Sequence, residues 1–275
     1  MKNQIRIIGR ITIAFGIMLI SIAQIVAQNS GEFPVPLSDP GKRGKLKAHL
    51  NSGSITVKGT ARKDVLVKYS SPKDEENTKN DKSRDGLKRI SSGTMDLEVS
   101  ESGNVVKAES DSWNNEVNLE IEVPSGFDLE VKTYNNGDLF VYSVQGEVVL
   151  TNYNGEITAQ NISGSVVAST YNGEIKVTLD KVTEGTPMSF STYNGDIDLT
   201  FPSTLKASLK MKTEQGEVLS GFEMNMIKSG PITKTDSKSG IYKVKIDEWV
   251  KGDINGGGPE FTMKNYNGDI IVRKK

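Results

Sequence analysis

Cysteine is absent from the 275 residues. The absence excludes disulfides, a thiolate nucleophile and an N-terminal lipid-modified cysteine. There is one histidine, His49, so the commonest general base and the usual metal-ligand cluster are missing too. Neither sign of charge dominates: 34 Lys and Arg stand against 35 Asp and Glu, which argues against a nucleic-acid partner. Beyond the first stretch of chain, no apolar run is long enough to cross a membrane.

The N-terminus has its own pattern. Lys2, Arg6 and Arg10 precede the apolar run Ile11–Ala23, and Ala27 is a suitable residue before a cut. This reads as a secretory signal peptide over residues 1–27. The run is shorter than the ~20 residues of a membrane span, so an uncleaved anchor is the lesser alternative. Export to the periplasm, the outer-membrane surface or the medium follows. Residues 28–45 read as a linker and 46–275 as one domain.

What is abundant is one repeated word. Gly137, Gly146, Gly155, Gly164 and Gly173 recur every nine residues. Leu139, Val148, Ile157, Val166 and Ile175 follow them at plus two, and Val141, Leu150, Ala159, Ala168 and Val177 at plus four. This is the period-two alternation of strands with one buried face, reset at each glycine. Asn and Gly tolerate positive φ and mark the tight turns. The YNG words at Tyr153 and Tyr171 alternate with the paler QGEV and SGSV, so two strand types each repeat once per 18 residues. A two-sided coil produces that register and a meander does not.

The expectation is therefore all-β: a single parallel β-solenoid, right-handed and β-helix-like, with about 18–22 residues per coil. The repeat loosens after Gly173, and residues 183–187 and 201–205 read as longer turns. The final coil spans Asp253–Val272. Toward the N-terminus the strands are irregular and are expected to cap the stack. Residues 71–86 hold no core-forming side chain and read as a mobile loop.

The YNGEI and YNGDI words, EVPSG at Glu122–Gly126 and NGGGPEF…YNGDI at Asn255–Ile270 carry a resemblance. Over residues 46–273 the chain resembles the DUF4097 family of bacterial β-strand-repeat proteins. That family carries an adhesin label and is similar to the auto-transporter adhesin head region called GIN. The resemblance implies an exported β-solenoid with an adhesive or envelope role. It supplies no catalytic residue and no ligand.

Stacking turns repeats into columns about 4.8 Å apart. Asn154, Asn172, Asn194 and Asn267 read first as a ladder of side-chain amides, with Gly155, Gly173, Gly195 and Gly268 completing the turns. Tyr134, Tyr153, Tyr171, Tyr193 and Tyr266 form a second column. If the rings face solvent they make a binding stripe for sugars or an apolar partner; if they cover the corners they add packing. The row Asp138, Glu147, Glu156, Glu174, Asp196, Glu217 and Asp269 has the spacing of calcium-binding repeats without their GGxGxD word, and reads as a solvated charge row.

No nucleophile motif is present, and NGGGP at Asn255–Pro259 lacks the lysine and serine of a phosphate loop. The chain is expected not to be an enzyme, and to need no cofactor. The leading reading is an envelope or surface binding module whose partner is an envelope component, a surface protein or a glycan. The alternative is a periplasmic structural or signalling scaffold; a polysaccharide-active β-helix enzyme ranks below both.

Overall fold

A computed structural model of the chain describes residues 30–71, 96–227, 232–236, 241–245 and 249–275. The leader, residues 1–27, and nearly all of the loop at 71–86 lie outside the described residues. All regular structure among the described residues is β-strand, as the alternation required. Twenty strands join one sheet; Ile232–Asp236 and Ile241–Lys245 form a separate antiparallel pair.

The body is a pile of layers, most of them two strands joined by an Asn-Gly turn, with Ser52-Gly53 and Gln215-Gly216 in its place in two others. One face runs through Leu139–Tyr142, the first half of Ile157–Ser169, Ile175–Val182 and Ile197–Phe201, all in parallel register. Leu139, Ile157, Ile175 and Ile197 thus align from layer to layer. The other face runs through Asp128–Asn135, Glu147–Thr151, the second half of Ile157–Ser169 and Met188–Ser191, again parallel. Ile157–Ser169 serves both faces because it turns a corner. Its register shifts between Ala159 and Ser163, and Asn161 there adopts φ 56°. Asparagine accepts that left-handed conformation at low cost.

The order of layers departs from the order of the chain at both ends. Lys45–Ser52 lies between Asp128–Asn135 and Val105–Ser110, and Ile55–Thr60 lies between Leu139–Tyr142 and Asn118–Pro124. The last layer does the same. Glu260–Lys264 enters between Met188–Ser191 and Ala207–Lys212, and Ile270–Lys274 between Ile197–Phe201 and Val218–Ser220. Each terminal layer is clasped by one that sits elsewhere in sequence. The C-terminal coil does not end the stack; residues 207–220 lie beyond it.

Outside these layers the pairing becomes antiparallel. Val65–Ser70 runs against both Asn118–Pro124 and Ser30–Val35, and Glu98–Ser102 against Val105–Ser110. At the far end Val250–Ile254 runs against Ala207–Lys212 and Asn225–Met226. The sheet is therefore mixed, where the sequence leads one to expect a parallel solenoid with irregular capping strands at its N-terminal end only. The physical reason is edge protection: an open stack leaves unpaired N–H and C=O groups at both ends, and the reversed strands cover them. Ser30–Val35, within the stretch read as linker, belongs to this covering.

The inward positions form one continuous core. Leu150, Ala168, Phe190, Met263 and Met211 succeed one another in register, so the small Ala168 leaves room beside the fully buried Phe190. Burying each large apolar side chain contributes roughly 1.5–3 kcal/mol against chain entropy.

Candidate functional site: the turn edge and its columns

The turn words stack directly on one another. A Cβ built on Gly173 would lie 2.1 Å from the carbonyl oxygen of Gly155, and one on Gly155 would lie 2.2 Å from that of Gly137. Gly268 stands in the same relation to Gly195, and Gly216 to Gly268, which traces the clasped order again. Glycine is required here for close approach between layers. The φ values of Gly155 and Gly173, 156° and 155°, are positive as expected, but they lie near extended backbone.

The asparagine column is hydrogen-bonded along its length. Nδ2 of Asn154 donates to Oδ1 of Asn135 at 2.8 Å, Asn172 to Asn154 at 2.8 Å, Asn194 to Asn172 at 2.7 Å and Asn267 to Asn194 at 2.7 Å. Every amide points the same way, toward the N-terminal end. The backbone joins in: Gly155 N donates to Asn172 O at 2.7 Å and Asn172 N to Tyr153 O at 2.9 Å.

A further row escaped the sequence reading. Thr133, Thr170, Thr192 and Thr213 donate their hydroxyls to the turn glycine carbonyl of the adjacent layer at 2.7–3.0 Å. Asn152 and Asn265 do so with their amides at 3.0 and 2.8 Å. The signal was in the words themselves, since a Thr or Asn stands just before each tyrosine of the turn column. In Asn152 and Asn265 the side-chain carbonyl oxygen is buried without a partner.

The tyrosines face outward, each about two-fifths exposed (39–43%). Their rings stack on one another: centroids lie 4.7, 5.1, 4.9 and 4.6 Å apart from Tyr134 to Tyr153, Tyr171, Tyr193 and Tyr266, with interplanar angles of 2–8°. Trp113 closes the N-terminal end edge-on to Tyr134, at 5.3 Å and 79°. Exposure and packing, set out as alternatives in the sequence, coexist. Because each ring covers its neighbour's face, the interior rings keep only their edges and hydroxyls for a partner. Stacking of a sugar on those faces, one reading of the stripe, has no room.

On the other side of the turn lie the acids. Asp138, Asp196 and Asp269 cap the backbone N–H of Glu156, Asp269 and Glu217, each at 2.8 Å. Burial raises the Glu174 carboxyl above the usual range, and the neighbouring charges of Glu156, Asp196 and Asp198 add to this while Lys176 opposes it. Among the described residues no three acidic or histidine side chains converge as a metal site would need. At the opposite edge a cleft of about 540 Å³ lies among the long turns at 183–185 and 202–206 and the Gly257–Pro259 loop.

A family model described as Toastrack DUF4097 matches residues 25–255. The chain belongs to the Toastrack DUF4097 family. The match stops short of the clasped layer Glu260–Lys274, which in this Toastrack chain carries Tyr266, Asn267 and Gly268. None of the curated proteins compared matches it. Among solved structures, a "putative cell adhesion protein" from Clostridium sporogenes is 12% identical with a TM-score of 0.46, over 90% of this chain and 100% of that one. A "putative adhesin" from Bacteroides fragilis is 9% identical with a TM-score of 0.37, over 90% of this chain and 96% of that one.

Proposed function

We propose that this Toastrack protein is an exported, non-enzymatic binding module of the cell envelope or cell surface. Its layered body is read as a right-handed parallel solenoid with two clasped ends. The observation that carries the reading is the turn edge. Five tyrosines stand outward in an unbroken stack, fixed from beneath by the amide ladder. Such a row is ordered before any partner arrives, so little side-chain freedom remains to be lost on binding.

The scaffold alternative draws on the same stack, in which ring-to-ring packing accounts for most of each tyrosine face. One experiment separates the readings. The chain without its leader is mixed with cell-envelope fragments, sedimented, and the supernatant assayed for released sugar and peptide. Retention without release supports a binding module. No retention supports the scaffold, and steady release of soluble product would make the protein an enzyme.

A further inference from the structure

The face that begins beside the tyrosines carries an unused pattern of charge. Two outward rows can be followed across seven neighbouring layers. The first reads His49, Lys132, Thr151, Ser169, Ser191, Lys264 and Lys212; the second reads Lys47, Glu130, Val149, Val167, Ser189, Thr262 and Lys210. Five of these fourteen side chains are lysines and one is an acid. The lysines are not spread evenly. Lys47 and Lys132 stand at one end, Lys210, Lys212 and Lys264 at the other, and the layers between carry no charge on either row.

The one acid is already outnumbered. Glu130 is held by Lys45 and Lys132 at 3.0 Å and by Lys47 at 3.7 Å, so that end keeps an excess of positive charge. At the other end Lys210 meets Glu260 at 3.9 Å, Lys212 meets Glu214 at 2.9 Å, and Lys264 adds a further cation. From the Lys132 layer to the Lys264 layer is four strand spacings, roughly 19 Å. The span between is hydroxyl-rich at Thr151, Ser169 and Ser191, with Val149 and Val167 partly exposed and the exposed Glu147 at the margin away from the tyrosines.

Charge complementarity selects the occupant. A ligand lying along the stack must be extended, anionic at intervals, and neutral but hydrogen-bonding between. A nucleic acid is charged at every step and seeks aromatic faces for its bases, and the tyrosine faces are covered. A second copy of this face would bring lysines against lysines in either orientation. We propose that the face binds an extended acidic glycan in which carboxylated sugars are separated by neutral ones. The lysine clusters hold the carboxylates, and the serine and threonine hydroxyls meet the neutral sugars. The inference rests on the reading of the protein as an envelope binding module and supplies the class of its partner.

The test uses the chain without its leader in affinity electrophoresis, with gellan as the intermittently carboxylated glycan, carboxyl-reduced gellan as its neutral twin, and duplex DNA. Gellan should retard the protein, and the reduced glycan and DNA should not. The variant carrying Lys47→Gln, Lys210→Gln and Lys264→Gln should lose about tenfold in affinity, since each exposed charge contact is modest. Lys176→Gln on the other face should bind as the parent does. Should the triple variant fold poorly, salt titration of the parent replaces it, and gellan binding must weaken as salt rises. Equal binding of the reduced glycan, equal binding of DNA, insensitivity to salt or an unaffected, folded triple variant would each overturn the proposal. Absence of gellan binding also overturns it, and if envelope fragments are still retained the broader reading survives that failure.

Discussion

The side-chain amide of Asn172 donates to Oδ1 of Asn154 at 2.8 Å while its own Oδ1 accepts from Asn194 at 2.7 Å. Replacing Asn172 by Ala removes both bonds and leaves Asn154 and Asn194 with open positions in the ladder. Both of these bonds are exposed, so water compensates in part. A loss of about 1 kcal/mol in denaturant unfolding is expected, and a loss indistinguishable from zero would show that the ladder is decorative.

Gly173 is a stricter position. Any Cβ there meets the Gly155 carbonyl at 2.1 Å and must push two layers apart. Gly173→Ala should cost more than ~2 kcal/mol. Gly126→Ala is the control, because a Cβ at Gly126 meets nothing within 4 Å. Comparable melting temperatures for the two variants would contradict the stacked arrangement.

Asn152 offers the opposite sign. Its buried Oδ1 has no partner, whereas Thr170 and Thr192 bond the same kind of glycine carbonyl and leave nothing orphaned. Asn152→Thr keeps a donor and removes the unsatisfied oxygen, so it should stabilise the protein by roughly 1 kcal/mol. A lower melting temperature would mean that threonine's shorter reach does not fit this layer.

Much of this was readable in advance, and the unread part has a physical pattern. The 18-residue repeat placed Leu139, Ile157 and Ile175 in one column because alternation and turn chemistry act locally. The clasped ends were not readable. Ile270 lies between Ile197 and Val218, yet each follows a similar word, so nothing in the words says which layer is next. The row of Thr170 and Asn152 went unread because a Thr or Asn beside a turn has many local uses. The tyrosine direction was undecidable for another reason: the turn breaks the two-residue phase that tells inside from outside.

Acid should weaken the lysine-framed end first. Hydrogen bonds from Lys132 and Lys45 hold the Glu130 carboxyl down at about 2, from 4.5 for a free side chain. A depressed carboxyl contributes stability above its unfolded pKa and loses it as pH falls from 4.5 toward 2. Glu130→Gln should therefore melt lower than the parent at pH 7 and alike near pH 2. Glu174 works in reverse: its raised carboxyl opposes folding while charged, so Glu174→Gln should raise the melting temperature at pH 7. The same pH-independent difference in either variant would show that its charge plays no part.

The central claim is that repetition prepares a continuous binding edge, and a graded tyrosine series tests it most directly. Retention on envelope fragments is measured for the parent, for Tyr153→Ala and for the combined change of Tyr153, Tyr171 and Tyr193 to Ala, each checked for folding by its melting curve. A surface repeated in every layer predicts a small loss for the single change and near-complete loss for the three together. Undiminished retention by the folded triple variant would contradict the account.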